Sequence, residues 1–163
     1  AKAFIATFTD QIAPKLNALP RQIVHADFNP HNLLVSQDNP NHLTGILDFG
    51  DMVRTPRICD LAVSAAYLVD PEDPLTLLGP LVDGYHARMP LRPEEIALLP
   101  DLIRARMLTS LTISTWRAAR YPENAEYILR NAPSARAGLQ AFAATNPARL
   151  ADALLTACEG PEP

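Results

Sequence analysis

Two short polar stretches of the sequence carry the side chains best suited to chemistry. Residues 25–32 read HADFNPHN, and residues 48–51 read DFGD. The amide of Asn32 and the carboxylate of Asp48 offer hard oxygen atoms, the ligands that Mg²⁺ prefers together with waters and phosphates. Asp27 lies on the loop before Asn32, where a carboxylate can accept the proton of an attacking hydroxyl or orient that hydroxyl. These residue types predict a metal-bound phosphate held by Asn32 and Asp48, with Asp27 acting on the nucleophile.

The polar stretches flank two apolar pieces, LLV and LTGIL, which are predicted to pair as an antiparallel hairpin. The tract SQDNPN between the two pieces is dense in turn-forming residues. If Leu33 lies opposite Leu47, then Asn32 lies opposite Asp48, and directly opposed Cα atoms are about 4.5–5.5 Å apart. The hairpin is therefore expected to bring an amide oxygen and a carboxylate to one place.

Two other interpretations of the same residues remain open at this point. Asp and Asn are common at strand ends and turns, where their side chains bond local backbone groups and do no chemistry. A metal-dependent hydrolase is also conceivable, with a transition metal bound by His25, Asp27, His31 and Asp48.

The elements that must position these residues are mostly helical. A further short β piece is predicted at 22–24, and the segment 3–19 has helical spacing with a break near Pro14. Prolines lie close to the starts of the later helices, where a missing N–H costs least; these helices are predicted at 57–69, 73–88, 93–119, 123–131, 134–145 and 147–158. The fold class is therefore α+β, mostly helical, as one domain over residues 1–163.

Composition narrows the class of protein. The 163 residues are 48% hydrophobic and 20% charged, as in an ordinary globular domain, and the net charge of −4 argues against nucleic acid as a partner. Neither a signal peptide nor an apolar run of about 20 residues is visible, so no membrane partner and a cytoplasmic location are expected. Cys59 and Cys158 lack the spacing of a zinc site. Four arginines are predicted to form a solvated helix face, with phosphate or nucleotide binding as the alternative: Arg104, Arg106, Arg117 and Arg120.

The motifs as a set resemble a known family. HADFNPHN resembles the catalytic loop of the aminoglycoside phosphotransferase and choline kinase group, relatives of the protein kinases. ILDFGD resembles the metal-binding segment of that group, and DLA at 60–62 resembles the helix that follows it. The sequences of these motifs, together with the later segment PENAEYILRNAP, are most similar to the hydroxylysine kinase-like branch. The resemblance implies the C-terminal lobe of a protein-kinase-like fold, in which a small hairpin carries the catalytic and metal-binding loops.

The resemblance also implies a role for each motif residue. Asp27 would be the catalytic base, and Asn32 and Asp48 would bind Mg²⁺ and, with His25, the nucleotide cofactor. His25 would also support the catalytic loop by hydrogen bonding, and Asp60 would accept hydrogen bonds from backbone N–H groups of that loop. Ala26 stands where the group often has Gly, and we expect this to be a mild change, since Ala fits any backbone that does not require a positive φ.

The implied reaction is transfer of the γ-phosphate of ATP or GTP to a hydroxyl of an amine-bearing acceptor, such as a hydroxylysine-, homoserine-, choline- or aminoglycoside-like compound. Acidic residues are candidates to bind the ammonium group: Asp51, Asp83, Glu94, Glu95 and Asp101. Aromatic residues are candidates to wall the acceptor site: Tyr85, Trp116, Tyr121 and Tyr127.

A kinase of this type also needs an N-terminal lobe with a glycine-rich loop and a strand lysine. None of the six glycines forms a GxGxxG or GxxxxGK pattern, and the only lysines, Lys2 and Lys15, lie in helical contexts. The chain is therefore expected to be the C-terminal lobe alone, with the N-terminal lobe as a missing partner, and to be a poor catalyst by itself. A non-catalytic lobe or binding module with an exposed apolar face is the third interpretation.

Overall fold

A computed structural model describes residues 2–159, and within that range the chain is mostly helical with two small antiparallel sheets. The α-helices are α1 (Lys2–Thr7), α2 (Ala13–Asn17), α3 (Ile58–Tyr67), α4 (Leu75–Arg88), α5 (Pro93–Arg120), α6 (Ala125–Leu129), α7 (Ala132–Ala144) and α8 (Pro147–Glu159). The strands are β1 (Arg21–Val24), β2 (Leu33–Val35), β3 (Leu43–Ile46) and β4 (Val53–Pro56). The predicted mostly helical α+β class is confirmed.

The helix boundaries follow the prolines that the sequence places near them. Helices α5 and α8 begin at Pro93 and Pro147, and a short 3₁₀ turn begins at Pro122 before α6. The predicted break in the first helix is a π-helical stretch, Phe8–Ile12, between α1 and α2. Pro14 in the first turn of α2 has no N–H for the α-helical ladder, and the wider turn lies directly before it.

The two sheets are nested along the chain. The outer pair joins β1 to β4, with Val24 opposite Val53, and the inner hairpin joins β2 to β3, with Leu33 opposite Ile46. Strand β4 has no clear signal in the sequence, because VRTP contains Arg and Pro and lacks a clear apolar alternation. Its partner β1 lies about 30 residues earlier in the chain, so only the tertiary fold reveals the pairing.

The predicted register of the hairpin is wrong by one residue. Leu33 lies opposite Ile46 instead of Leu47, and the N–H of Leu47 donates to the carbonyl of Asn32 at 2.8 Å. The register also shifts between Leu34 and Val35, because Gly45 and then Leu43 are their partners and Thr44 is left between them. Asn32 is therefore opposite Leu47, and Asp48 lies one residue beyond the predicted pair.

The long helix α5 is the centre of the molecule and packs against α3, α7 and α8. Leu111 of α5 is half-buried, and six apolar residues earlier in the helix are buried: Ile96, Leu98, Leu99, Leu102, Ile103 and Met107. Although α5 has 28 residues, no helix within residues 2–159 combines the length and apolarity needed to cross a bilayer.

A buried ion pair fixes the start of α5 against the start of α3. Arg57 donates from Nε and Nη2 to the two carboxylate oxygens of Glu95 at 2.8 and 2.7 Å, and Glu95 is fully buried. The amide N–H of Arg92 also donates to Glu95, at 2.9 Å. Burial alone would raise the pKa of Glu95, but these hydrogen bonds and the neighbouring positive charges outweigh it and hold that pKa below its usual value.

Candidate functional site

Two loops lie side by side between the outer and inner strand pairs. Residues 25–32 connect β1 to β2, and residues 47–52 connect β3 to β4. The loops are joined at both ends: His25 Nε2 donates to the carbonyl of Leu47 at 2.8 Å, and the Leu47 N–H donates to the carbonyl of Asn32 at 2.8 Å. The nested sheets therefore hold the two polar stretches of the sequence against each other.

His25 connects the two loops through both of its ring nitrogens. Its Nδ1 accepts from the N–H of Asp27 at 3.3 Å, so Nε2 carries the proton that is donated to Leu47. The ring also contacts the rings of Phe28 and Phe49, with centroid distances of 5.9 and 5.0 Å. These contacts are the hydrogen-bonding arrangement expected of a residue that supports the loop conformation.

Two side chains of helix α3, one turn apart, form hydrogen bonds with the backbone of the first loop. Asp60 Oδ1 accepts from the N–H of Ala26 at 2.7 Å, and Ser64 Oγ donates to the carbonyl of Phe28 at 2.7 Å. Asp60 was predicted to support this loop from the sequence, whereas Ser64 was not. The signal was present, because Ser64 is four residues after Asp60 and therefore lies on the same face of an otherwise apolar helix.

Ala26 does adopt a left-handed backbone, contrary to the expectation that its position needs no positive φ. Its φ is 63°, and among residues 2–159 the other non-glycine residue with positive φ is Asp48, at 59°. A left-handed residue with a Cβ costs about 1–2 kcal/mol. A hydrogen bond to a charged group contributes about 1.5–3 kcal/mol, so the bond from Ala26 to Asp60 can offset the strain.

Both carboxylate oxygens of Asp27 are engaged. Asn32 Nδ2 donates to Asp27 Oδ2 at 3.0 Å and to the Asp27 carbonyl at 2.9 Å. Arg106 Nη2 donates to Asp27 Oδ1 at 2.7 Å as an ion pair. Two different elements, the loop itself and helix α5, thus fix the direction of the carboxylate.

The contact of Arg106 corrects the expectation that the four α5 arginines form a solvated face. Arg106 is partly buried and paired, whereas Arg104 lies over the ring of Phe4 at 4.7 Å and Arg120 lies near Trp116 at 5.9 Å. The sequence could not show the pairing with Asp27, because the two residues are 79 positions apart.

Asn29 is a second supporting residue that was not predicted from the sequence. Its side chain is 5% exposed, donates to the Asp27 carbonyl at 2.9 Å, and accepts from the N–H of His31 at 2.9 Å. It thereby caps the 3₁₀ turn Pro30–Asn32, which presents Asn32 to the site.

The oxygen donors of the site suit a hard divalent cation. Because Asn32 uses Nδ2 to bind Asp27, its Oδ1 is the atom left for a ligand. Asp48 is exposed, and its carboxylate has one contact within the described residues, a long hydrogen bond of 3.4 Å from the Gly50 N–H. One amide oxygen and one open carboxylate are a donor set that Mg²⁺ accepts.

The ligand set of the hydrolase interpretation is not assembled. Within residues 2–159, no three His, Cys, Asp or Glu side chains are grouped so that they could hold a metal ion. His25 uses both ring nitrogens within the two loops, and His31 packs edge-on against Tyr67 with a centroid distance of 6.3 Å.

A cavity of about 1170 Å³ reaches Arg106, the ion-pair partner of Asp27. Its wall includes Arg106, which contacts Asp27, and His31 from the first loop, and continues along α5 to α6 and α7. Of the acids proposed to bind an ammonium group, Asp51 alone lines the cavity. Of the proposed aromatic walls, Tyr121 and Tyr127 line it.

The remaining residues expected at the acceptor site lie elsewhere. Glu95 is buried and paired with Arg57, and Tyr85 packs against the core. Asp83, Glu94, Asp101 and Trp116 do not line this cavity. Acidic and aromatic residues on amphipathic helices are too common for their side-chain directions to be assigned from spacing without the packing partner.

Comparisons with known proteins place these features in a family context. A family model described as "Phosphotransferase enzyme family" matches residues 1–99. The chain is 37% identical over 131 residues to a hydroxylysine kinase of Danio rerio, and the aligned region covers 78% of this chain and 37% of that protein. It is 30% identical over 143 residues to a hydroxylysine kinase of Mus musculus, covering 83% of this chain and 38% of the relative.

A homoserine kinase of Zymomonas mobilis is 33% identical over 121 residues, covering 72% of this chain and 36% of the relative. The chain therefore spans between 36% and 38% of the length of these three relatives. No solved structure matches the chain.

Proposed function

The chain belongs to the phosphotransferase enzyme family, and from this premise we propose that it forms the C-terminal lobe of a kinase-like enzyme. The enzyme would transfer the γ-phosphate of ATP or GTP to a hydroxyl of a small acceptor. Relatives named hydroxylysine kinase and homoserine kinase support this reaction class. The observation that carries the proposal is the joined pair of loops, in which Asp27 is bonded to Asn32 and the loop of Asp48 is bonded to both His25 and Asn32.

Asp27 is the proposed catalytic residue, because its carboxylate is oriented before any acceptor arrives. Arg106 holds one carboxylate oxygen and Asn32 holds the other, and each oxygen keeps a further lone pair for an acceptor hydroxyl. Orienting a hydroxyl at the correct angle lowers the entropic cost of reaction, which is a large part of catalysis in phosphoryl transfer. His25 and Asp60 serve as positioning residues, since they contact the loop backbone.

Asn32 Oδ1 and the Asp48 carboxylate are the proposed ligands of Mg²⁺ and, through it, of the nucleotide phosphates. When bound, Mg²⁺ would supply positive charge that neutralises the transferring phosphoryl group. The left-handed backbone of Asp48 turns the chain directly after β3, so that its carboxylate leaves the strand pair and stays exposed. Asn32 contributes twice, because its amide nitrogen holds Asp27 while its oxygen remains for the metal.

We further propose that the glycine-rich loop and the phosphate-binding lysine come from another part of the protein. The chain's two lysines, Lys2 and Lys15, are exposed on α1 and α2, and the sequence has no glycine-rich phosphate motif. The chain spans 37% and 36% of the length of the Danio rerio and Zymomonas mobilis relatives, which is consistent with a second lobe elsewhere in the protein. The 163-residue chain by itself is therefore expected to be a poor catalyst.

Phosphoryl transfer by the full-length polypeptide that carries this chain tests the proposal. With ATP or GTP and a panel containing hydroxylysine, homoserine, choline and an aminoglycoside, we expect turnover of at least one acceptor. Asp27→Asn should lower kcat by about 10²–10⁴-fold, as for loss of a general base. Asp38→Asn, which removes an exposed carboxylate from the hairpin turn, is the matched control and should leave kcat unchanged. Equal activity of wild type and Asp27→Asn would refute the assignment.

A further inference from the structure

The charged side chains of the cavity point to the kind of acceptor it binds, an inference that rests on the proposed function. Four charged residues line the cavity: Arg106, Arg117, Arg130 and Asp51. A site for an amine-rich acceptor would need several carboxylates, because ammonium groups are recognised by negative charge. This wall has one carboxylate and three guanidinium groups, so positive charge predominates on it, which is the opposite of what an amine-rich acceptor would need.

The three arginines are not equivalent. Arg106 is paired with Asp27 at 2.7 Å and so is already neutralised. Arg130 lies over the ring of Tyr127 at 4.0 Å and donates to the Tyr127 carbonyl at 3.2 Å, which fixes its position without neutralising it. Arg117 is exposed to the cavity and has no ion-pair partner in the part of the chain that the structure describes. Two cationic groups are thus left for a ligand.

The positions of Arg106 and Arg117 on helix α5 mark two ends of one wall of the cavity. Arg106 and Arg117 are 11 residues apart on α5, which is about three turns and about 16 Å of helix axis, so both lie on one face. Ser110 and Ser114 lie on the same stretch of wall between them. The reacting hydroxyl would be at the Asp27–Arg106 end, and Arg117 is at the opposite end of this stretch of helix.

We propose that Arg117, with Arg130, binds a carboxylate of the acceptor, so that the acceptor is a hydroxylated amino acid instead of a simple amino alcohol or a polyamine. A guanidinium group binds a carboxylate through charge-assisted and often paired hydrogen bonds, which makes it selective for that group. Asp51, as the single acidic side chain of the wall, is the proposed partner of an ammonium group of that acceptor.

Matched acceptor pairs that differ only in the carboxylate test this assignment. In the full-length protein, kcat/KM is measured for hydroxylysine and homoserine and for the amine that each gives on decarboxylation. We expect kcat/KM to be about 10- to 100-fold higher for the amino acids than for the amines. This factor corresponds to the usual free energy of hydrogen bonds to a charged group. Arg117→Gln should remove most of that preference by slowing the amino acids, without slowing the amines.

Two further variants complete the experiment. Arg130→Gln should reduce the same preference in part, whereas Arg149→Gln, an exposed arginine on α8 that does not line the cavity, should retain it in full. Calorimetric binding of the amino acids to Asp27→Asn measures recognition without turnover and should show the same dependence on Arg117.

The outcomes separate this inference from the proposed function. Equal or faster phosphorylation of the amines by the wild type, or a preference that survives in Arg117→Gln, would overturn the carboxylate assignment and leave the kinase proposal standing. Phosphorylation of no hydroxyl compound in the wider panel would contradict the proposed function and this inference with it.

Discussion

Asp27 illustrates how one residue depends on three groups from two parts of the chain, its own loop and helix α5. Its carboxylate is held by Asn32 and by Arg106, and its N–H is held by His25. The ion pair with Arg106 is partly exposed, with side-chain exposures of 27% and 22%, so solvent screening limits its contribution to stability. Its main effect is therefore expected on the orientation of the carboxylate.

Arg106→Gln tests this orienting role in the full-length protein. We expect kcat to fall by about 10²-fold, the effect of a misplacement near 1 Å, with little change in the KM for the nucleotide or in the unfolding midpoint. Arg106→Lys should recover part of kcat, since one nitrogen makes the contact with Asp27. Arg104→Gln is the control on the same helix, because Arg104 lies over Phe4. A fall in the unfolding midpoint that accounts for the lost activity would argue for a purely structural residue.

At the level of the elements, α3 and α5 form the platform under the two loops. Helix α3 supplies Asp60 and Ser64, and α5 supplies Arg106. The ion pair between Arg57 and Glu95 sets the start of α5 against the start of α3. Removing one partner of a buried pair leaves the other charge uncompensated, which costs about 3–5 kcal/mol.

Glu95→Gln should therefore destabilise the chain by about 3–5 kcal/mol near neutral pH. The pKa of Glu95 is lowered in the folded state, so its contribution is present above the usual carboxyl pKa and is lost as pH falls through the folded value. The difference between wild type and Glu95→Gln in urea unfolding should accordingly shrink on acidification from about pH 7 to below about pH 4.

The neighbouring Glu94→Gln is the matched control for this measurement. Glu94 is exposed, so its substitution should change the free energy of unfolding by no more than about 0.5 kcal/mol. Equal effects of the two substitutions, or a Glu95→Gln effect that does not depend on pH, would contradict the role of the buried pair.

At the level of the whole molecule, the apolar surface is unevenly distributed. The helices pack around one buried core, whereas nine of the seventeen exposed large apolar residues among the described positions lie in the strands and the second loop. These are Ile23, Leu34, Val35, Leu43, Ile46, Leu47, Phe49, Met52 and Val53. Exposed apolar side chains in this number favour association, and under the proposed function they would be covered by the nucleotide and the other lobe.

The isolated 163-residue chain is therefore expected to self-associate through the strand surface. Ile23 is 66% exposed and Val53 is 49% exposed, and Ile23→Thr with Val53→Thr keeps the β-branched shape while reducing apolarity. Light scattering should show oligomers of the wild-type chain that the double variant reduces, and a monodisperse full-length protein. A monomeric wild-type chain at high concentration would contradict this expectation.

The sequence by itself determined the helices, the hairpin and the residue types of the site. Helical periodicity and proline positions are local signals, so the helix boundaries are close to those predicted. The motif residues His25, Asp27, Asn32 and Asp48 could be named because they lie within two short stretches of the chain.

The tertiary structure decided the rest, since each remaining feature depends on segments that are distant in sequence. The pairing of β1 with β4, the one-residue change in register and the left-handed backbone of Ala26 follow from how the two loops meet each other and α3. Arg106 became a site residue because α5 passes beside Asp27, and the cavity is cationic because α5 and α6 bring Arg117 and Arg130 to one wall. A side chain's partner across the fold is set by packing, which no local pattern specifies.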